Sequence, residues 1–235
     1  MAGECVTLTC FRFDGVLERV RQFGRMGLDR RPLARTPDIG FHRMMGTGTG
    51  LGFRPKPNFG VWTILAVWPS AEIAQERTES APVWRRWRAR AAEDATIFME
   101  TLTRRGEWGG EAPFTPREPA PALRQGEKLT VLTRATVKAW RTGAFWSRVP
   151  SIEDALAEAK DVRFHVGMGE VPWLHQVTFS IWDDEAPMRA FAHEAGPHRQ
   201  AARDAYRLNW FTESLFARFA VTGTAGRWGG AALAF

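Results

Sequence analysis

The chain has 235 residues, room for one large domain or two small ones, and its 44% apolar and 25% charged composition excludes wholesale disorder, collagen-like repeats and coiled coils. The 32 Lys and Arg outnumber the 26 Asp and Glu by a net +6, which favours anionic partners. This excess is scattered without a polybasic block, so no nucleic-acid partner is expected, while 11 Trp point to large apolar walls.

In chain order, an apolar, β-branched strand is predicted near 5–13 and a helix over 15–30, with Asp14 as N-cap and Val16, Val20 and Phe23 at helical spacing. Strands follow near 42–47 and 61–68. A helix over 70–92 starts at the N-cap Ser70 and is kinked by Pro82, and a strand covers 95–103. Gly110–Gly126 holds four prolines and reads as a linker. Beyond it come a strand at 129–137, a helix at 151–160 capped by Ser151, strands at 163–168 and 175–182, helices at 184–194 and 197–209, and a strand at 213–223. Each half thus alternates β-α-β-β-α-β, the ferredoxin-like unit.

The halves are copies of each other. Phe41-His42-Arg43-Met44-Met45-Gly46 returns at an offset of 123 as Phe164-His165-Val166-Gly167-Met168-Gly169, and that offset lays Val6–Phe13 on Leu129–Thr136. Both halves close on Trp-Gly-Gly, at 108–110 and 228–230. A ferredoxin-like unit leaves one sheet face bare, and two fused units can stack those faces. The fold expected is therefore α+β: duplicated ferredoxin-like units, 1–110 and 127–235 with a linker at 111–126, forming one pseudo-dimeric α+β barrel with an apolar chamber between its sheets.

Gly46–Gly52 lacks the spacing and the following helix of a phosphate cradle, and is read instead as a bulged strand edge. Cys5 and Cys10 cannot frame a disulfide fold, which sets a reducing, cytoplasmic compartment as the expectation. No signal segment precedes the first strand, and the uncharged run Pro57–Ala71 is short of the roughly 20 residues of a spanning helix. Any contact with the inner membrane is expected to be peripheral. No zinc spacing or Ser-His-Asp set occurs. His42 and His165 read as structural strand residues, and His175 as an exposed strand start. His198 differs, because the first half has Ala81-Pro82-Val83 where the second has Gly196-Pro197-His198. An imidazole in one copy only suggests a ligand site in that half, with His193 on the same stretch as the second candidate.

Several strings resemble the spheroidene monooxygenase (acyclic carotenoid 2-ketolase) family: Met45-Gly46-Thr47-Gly48 with Pro57-Asn58, Ile64–Trp68, Leu132–Val137 followed by Phe145-Trp146, Gly167–Pro172, Gln176–Trp182, and Trp210–Glu213 with Ala217-Arg218-Phe219. The resemblance spans essentially the whole chain. It implies an oxidoreductase of photosynthetic bacteria that uses heme b, an iron porphyrin, with O₂ and ferredoxin electrons to oxidise the C-2 methylene of spheroidene to a ketone. It favours His198 as the iron ligand, with Phe191 and Trp210 as further cofactor contacts, and leaves Arg134, His165 and Arg218 as candidate catalytic residues on the opposite side. A heme-dependent dehydratase or peroxidase, and a tetrapyrrole or carotenoid carrier, stay open as alternatives, as does a homo-oligomer.

Overall fold

The computed structural model describes residues 3–49, 56–118, 122–149, 159, 161–193 and 207–235. The first half runs β1 (Cys5–Arg12), α1 (Val16–Leu28), α2 (Arg30–Ala34), β2 (His42–Gly48), β3 (Pro57–Trp68), α3 (Ala71–Ser80), α4 (Pro82–Arg88) and β4 (Glu93–Gly106). The second runs β5 (Leu129–Val137), a 3-10 turn (Ala139–Arg141), α5 (Thr142–Trp146), β6 (Val162–Gly169), β7 (His175–Trp182), α6 (Glu185–His193) and β8 (Phe211–Trp228), with a short β9 (Ala231–Ala232) after it. The expected helix capped by Ser151 and most of the one expected over 197–209 lie outside the described residues, as does His198.

Strand order is β4-β1-β3-β2-β6-β7-β5-β8, and β4 pairs with β8, so eight antiparallel strands close into an α+β barrel. The seam between β2 and β6 pairs Gly46 with Gly169, the two glycines that the repeat aligns, so the relation between the halves is a near two-fold. As expected of a bulged edge, the β2–β3 register shifts between Gly46 and Thr47. The single helix expected over 70–92 is two, broken at the extended Ala81, with Pro82 opening α4; Ser70 caps α3 by accepting from the Ile73 amide at 3.3 Å. The N-cap of α1 is Gly15 rather than Asp14.

The space between the sheets is filled. Leu8, Cys10, Leu65, Ile97 and Met99 of the first half meet Leu132, Phe179, Ala217 and Phe219 of the second in one buried cluster. The expected apolar chamber inside the barrel is therefore a packed core. Both faces of β1 and β3 are buried, the outer one under the helices and including Thr7 and Thr9, so burial is not confined to the face between the sheets.

The outer face of the first half is covered as well. Trp68, Trp84 and Trp87 are buried there, and each indole N–H has a partner: Thr7 at 2.8 Å, Thr9 at 3.0 Å and Asp29 at 2.9 Å. Cys5 belongs to this outer layer and Cys10 to the barrel interior, so the two thiols sit on opposite faces of β1. Burial pushes Cys5 up to about 11 and Cys10 up to about 12. Neither should react with a thiol reagent near pH 8 while the chain is folded, and both should react once denaturant is added; rapid native labelling would contradict this burial.

The repeated Trp-Gly-Gly is a structural clasp. Gly109 and Gly110, at the end of β4, donate their amides to Glu213 at 3.1 and 2.9 Å, and Gly229 and Gly230, at the end of β8, donate to Glu93 at 2.9 and 2.6 Å. All four glycines have positive φ, between 66° and 85°, which turns successive N–H groups toward one carboxylate. Each half thus grips the first turn of the other half's closing strand.

Asp183 ties a second point of the barrel, bonding Lys128 at 2.8 Å and Arg163 at 2.9 Å, and those cations lower its pKa to about 2 from an ordinary 3.8. The depressed value stabilises the fold above about pH 4, a contribution lost as pH falls toward 2. Asp183→Asn should therefore lower the melting temperature at neutral pH, with the deficit shrinking through that acid window. A pH-independent deficit would show the loss to be steric.

Candidate active site

Two features stand out on the described surface. One is the outer face of the second sheet, whose cross-strand rows follow from the register. Val162, Trp182, Leu129 and Ala220 form an apolar row that α6 covers with Met188, and Phe191 of α6 lies on Trp182 at 5.3 Å between ring centroids. The next row is His165, Ser180, Val131 and Arg218, and the next Gly167, Thr178, Thr133 and Phe216. At the far end stands α5, with Phe145 against Trp210 and Phe211 at 6.4 and 6.0 Å.

The middle rows are only half covered, because His165, Ser180, Val131, Arg218, Thr178 and Thr133 all keep intermediate exposure and Phe216 is exposed. In the first half the matching face is shut: Thr7, Thr9, Ile64 and Ala66 are fully buried. The asymmetry that the repeat shows at Val83 and His198 is thus matched by a floor of small, polar and aromatic residues in the second half alone. Trp210 is buried, yet its indole N–H has no partner among the described residues. That orphaned donor calls for an acceptor.

The second feature is a groove of about 410 Å³ across the β2–β6 seam. Phe23, Phe59, Trp62, Trp146 and Trp173 form its walls, and Gly46 and Gly48 let the groove run close to the β2 backbone. Trp146 also packs on the layer above the second sheet, and Gln176 is the outward residue of β7 at the end of the floor, so the groove reaches the floor's edge.

The three candidate catalytic residues do not form one constellation. His165 and Arg218 share a row of the floor, with Arg218 held by Glu185 at 2.8 Å. Arg134 lies on the opposite face of β5, bonds Glu213, and has its guanidinium 5.9 Å from the Trp108 ring centroid. At 3% exposure its side chain serves the closing clasp and does not face the floor. His193 closes α6, and Phe191 and Trp210 stand at opposite ends of the floor.

Sequence reasoning assigned Glu170 and His175 no part in the site. Glu170 accepts from Trp108 Nε1 at 2.8 Å, pairs with Arg43 at 3.1 Å, and lies 3.5 Å from His175 Nδ1. His175 opens β7 as expected but is half-buried rather than exposed, lining the groove with Glu170. Burial, and then the Arg134 charge, lower its pKa against the opposing pull of Glu170. Its only sequence signal was a position five residues after Glu170 across a turn.

No family model matches the chain. It is 46% identical over 227 residues to the spheroidene monooxygenase of Rhodobacter capsulatus, covering 95% of this chain and 92% of that one. The chain belongs to the spheroidene monooxygenase family. The enzyme of that name from Cereibacter sphaeroides is 43% identical over 228 residues, covering 97% of this chain and 69% of its own length. Among solved structures, an aldoxime dehydratase in complex with butyraldoxime matches 93% of this chain and 79% of its own with a TM-score of 0.57, at 8% identity, which supports the barrel fold alone.

Proposed function

We propose that the chain is a monooxygenase of acyclic carotenoids that oxidises the C-2 methylene of spheroidene to the ketone, using heme b, O₂ and electrons from ferredoxin. The observation that carries the carotenoid reading is the 46% identity over 95% of the chain to an enzyme named for spheroidene, joined to an aromatic groove of matching chemistry. A polyene offers no polar anchors, so its affinity comes from apolar area removed from water at about 25 cal/mol per Å². Phe59, Trp62, Trp146 and Trp173 supply that area.

For the heme, we take the half-covered floor of the second sheet: Gly167, Thr133 and Thr178 are small residues there, and the unpaired Trp210 N–H at one end would meet a carboxylate. His198 would hold the iron, with Phe191 at the floor's apolar end. Bound there, heme would supply the oxidising chemistry at its iron. His165, facing the same floor, is the group placed to hold or pass a proton, and the apolar rows around it exclude water. A basic surface suits docking of an acidic electron donor.

The test is direct. The purified chain reconstituted with heme should show a Soret band and, given reduced ferredoxin, O₂ and spheroidene, release the ketone identified by mass. Turnover without a Soret band would remove heme from this reading, and stoichiometric heme with no turnover would make the chain a carrier.

A further inference from the structure

Helix α1 is built inside out. Its turns toward the protein carry Glu18, Gln22, Met26 and the following Asp29, and within the helix only Gln22 is buried. Its apolar residues stay largely exposed: Val16 is 79% exposed, Val20 64%, Phe23 58% and Leu28 68%, with Leu17, Gly24 and Gly27 on the same arc. One edge of the stripe borders the start of β3, where Phe23 packs on Phe59 at 5.4 Å between ring centroids and Val16 and Val20 line a hollow with Pro57 and Asn58. A soluble helix buries such a stripe. Phe59 and Trp173, both exposed, extend the patch to the lip of the groove. Trp173 holds a left-handed backbone, φ 70°, while its carbonyl accepts from Trp146 Nε1 at 3.0 Å, so strain is spent on keeping this indole at the lip.

Cations border the stripe. At 100° per residue Arg19 falls on one side of it and Arg21 and Arg25 on the other, and α2 adds Arg30, Arg31 and Arg35, all exposed. The acids nearby are paired, Glu18 with Arg21 at 2.8 Å, Asp29 with Arg86 at 2.9 Å and Arg25 at 3.8 Å, and Asp14 with Arg12 at 3.9 Å, so the surplus positive charge beside the stripe rests on Arg19, Arg30, Arg31 and Arg35. A two-fold contact with a second copy would set these arginines against themselves. Anionic headgroups around an apolar interior match both the charge and the stripe.

We infer that the outward face of α1 seats on an anionic lipid bilayer, with Phe59 and Trp173 at the headgroup level and the groove opening onto the acyl chains. If the carotenoid reading above holds, this face delivers a lipid-dissolved polyene to its groove; the docking itself does not depend on that reading.

Flotation with vesicles tests it. The protein should float with phosphatidylcholine vesicles containing phosphatidylglycerol and far less with phosphatidylcholine alone. Val16→Asp with Val20→Asp should cut the bound fraction on the order of tenfold, because both side chains lose their apolar contact and acquire repulsion. Neither side chain is buried, so the melting temperature should hold, and detergent-dispersed carotenoid should be turned over at the wild-type rate while vesicle-borne carotenoid is not. The inference is overturned by a wild type that stays unbound, by a double variant that floats equally well, or by a wild type that dimerises in solution through this face and leaves vesicles untouched. Absence of turnover in detergent by the wild type counts against the monooxygenase reading, and flotation alone decides the docking.

Discussion

A chain carrying His198→Ala should lose stoichiometric heme binding, read as loss of the Soret band after reconstitution, while His165→Ala and His193→Ala keep most of it. The expectation rests on an asymmetry seen twice. The residue that the repeat aligns with His198 is Val83, which is fully buried in the layer over the first sheet, among Trp84, Trp87 and Ala81. That sheet face is closed, while the corresponding face of the second half is only half covered along the row of His165, Ser180 and Val131. One heme per chain follows, since the first half has neither the imidazole nor the space. A full Soret band in the His198 variant would reassign the ligand, with His165 next in line because it faces the same floor.

The second large effect concerns the clasp. Glu213→Gln removes the charge that faces Arg134, whose side chain is 3% exposed, and weakens the two amide bonds from Gly109 and Gly110. Burial alone would raise the Glu213 pKa, but those amides and Arg134 overcome it and hold the carboxyl below its ordinary value. Leaving a buried guanidinium with only the 4.0 Å contact to Glu170 should cost about 2–4 kcal/mol. For a chain of this length that is roughly 5–10 °C in melting temperature. The equivalent change at Glu93 should cost much less, because its partner Arg12 is 40% exposed. Pairing Glu213→Gln with Arg134→Met should recover much of the loss, since no charge is then stranded. If Arg134→Met abolished turnover at unchanged stability, Arg134 would act on substrate after all.

The duplicated barrel was legible because repetition survives in short strings: the aligned glycines at 46 and 169 meet at the seam, and the two Trp-Gly-Gly turns do the same work twice. Their work was not legible, since the carboxylates they hold lie more than 100 residues away along the chain. Parity along β5 puts Arg134 with Leu132 and apart from Thr133, but parity alone could not say which of the two sets would lie in the packed interior. Leu65 illustrates the same ambiguity, sitting in the packed interior while its neighbours Ile64 and Ala66 lie in the outer layer. For α1 the periodicity was plain and its direction was not, because a stripe at helical spacing specifies a face and leaves open what that face meets.

The closing pair of the barrel also governs the order in which it can form. β4, residues 93–106, zips along β8 from Leu215 to Gly226, so its outer edge has no partner until more than 100 further residues have been synthesised. During that interval the nascent chain presents an unpaired strand edge with Ile97, Phe98 and Met99 along it, a template for pairing with other chains. Long-range closure of this kind is slow in refolding as well. Expression of the first half alone should therefore meet insolubility at β4, and yield of the whole chain should depend on how fast its last strand is delivered.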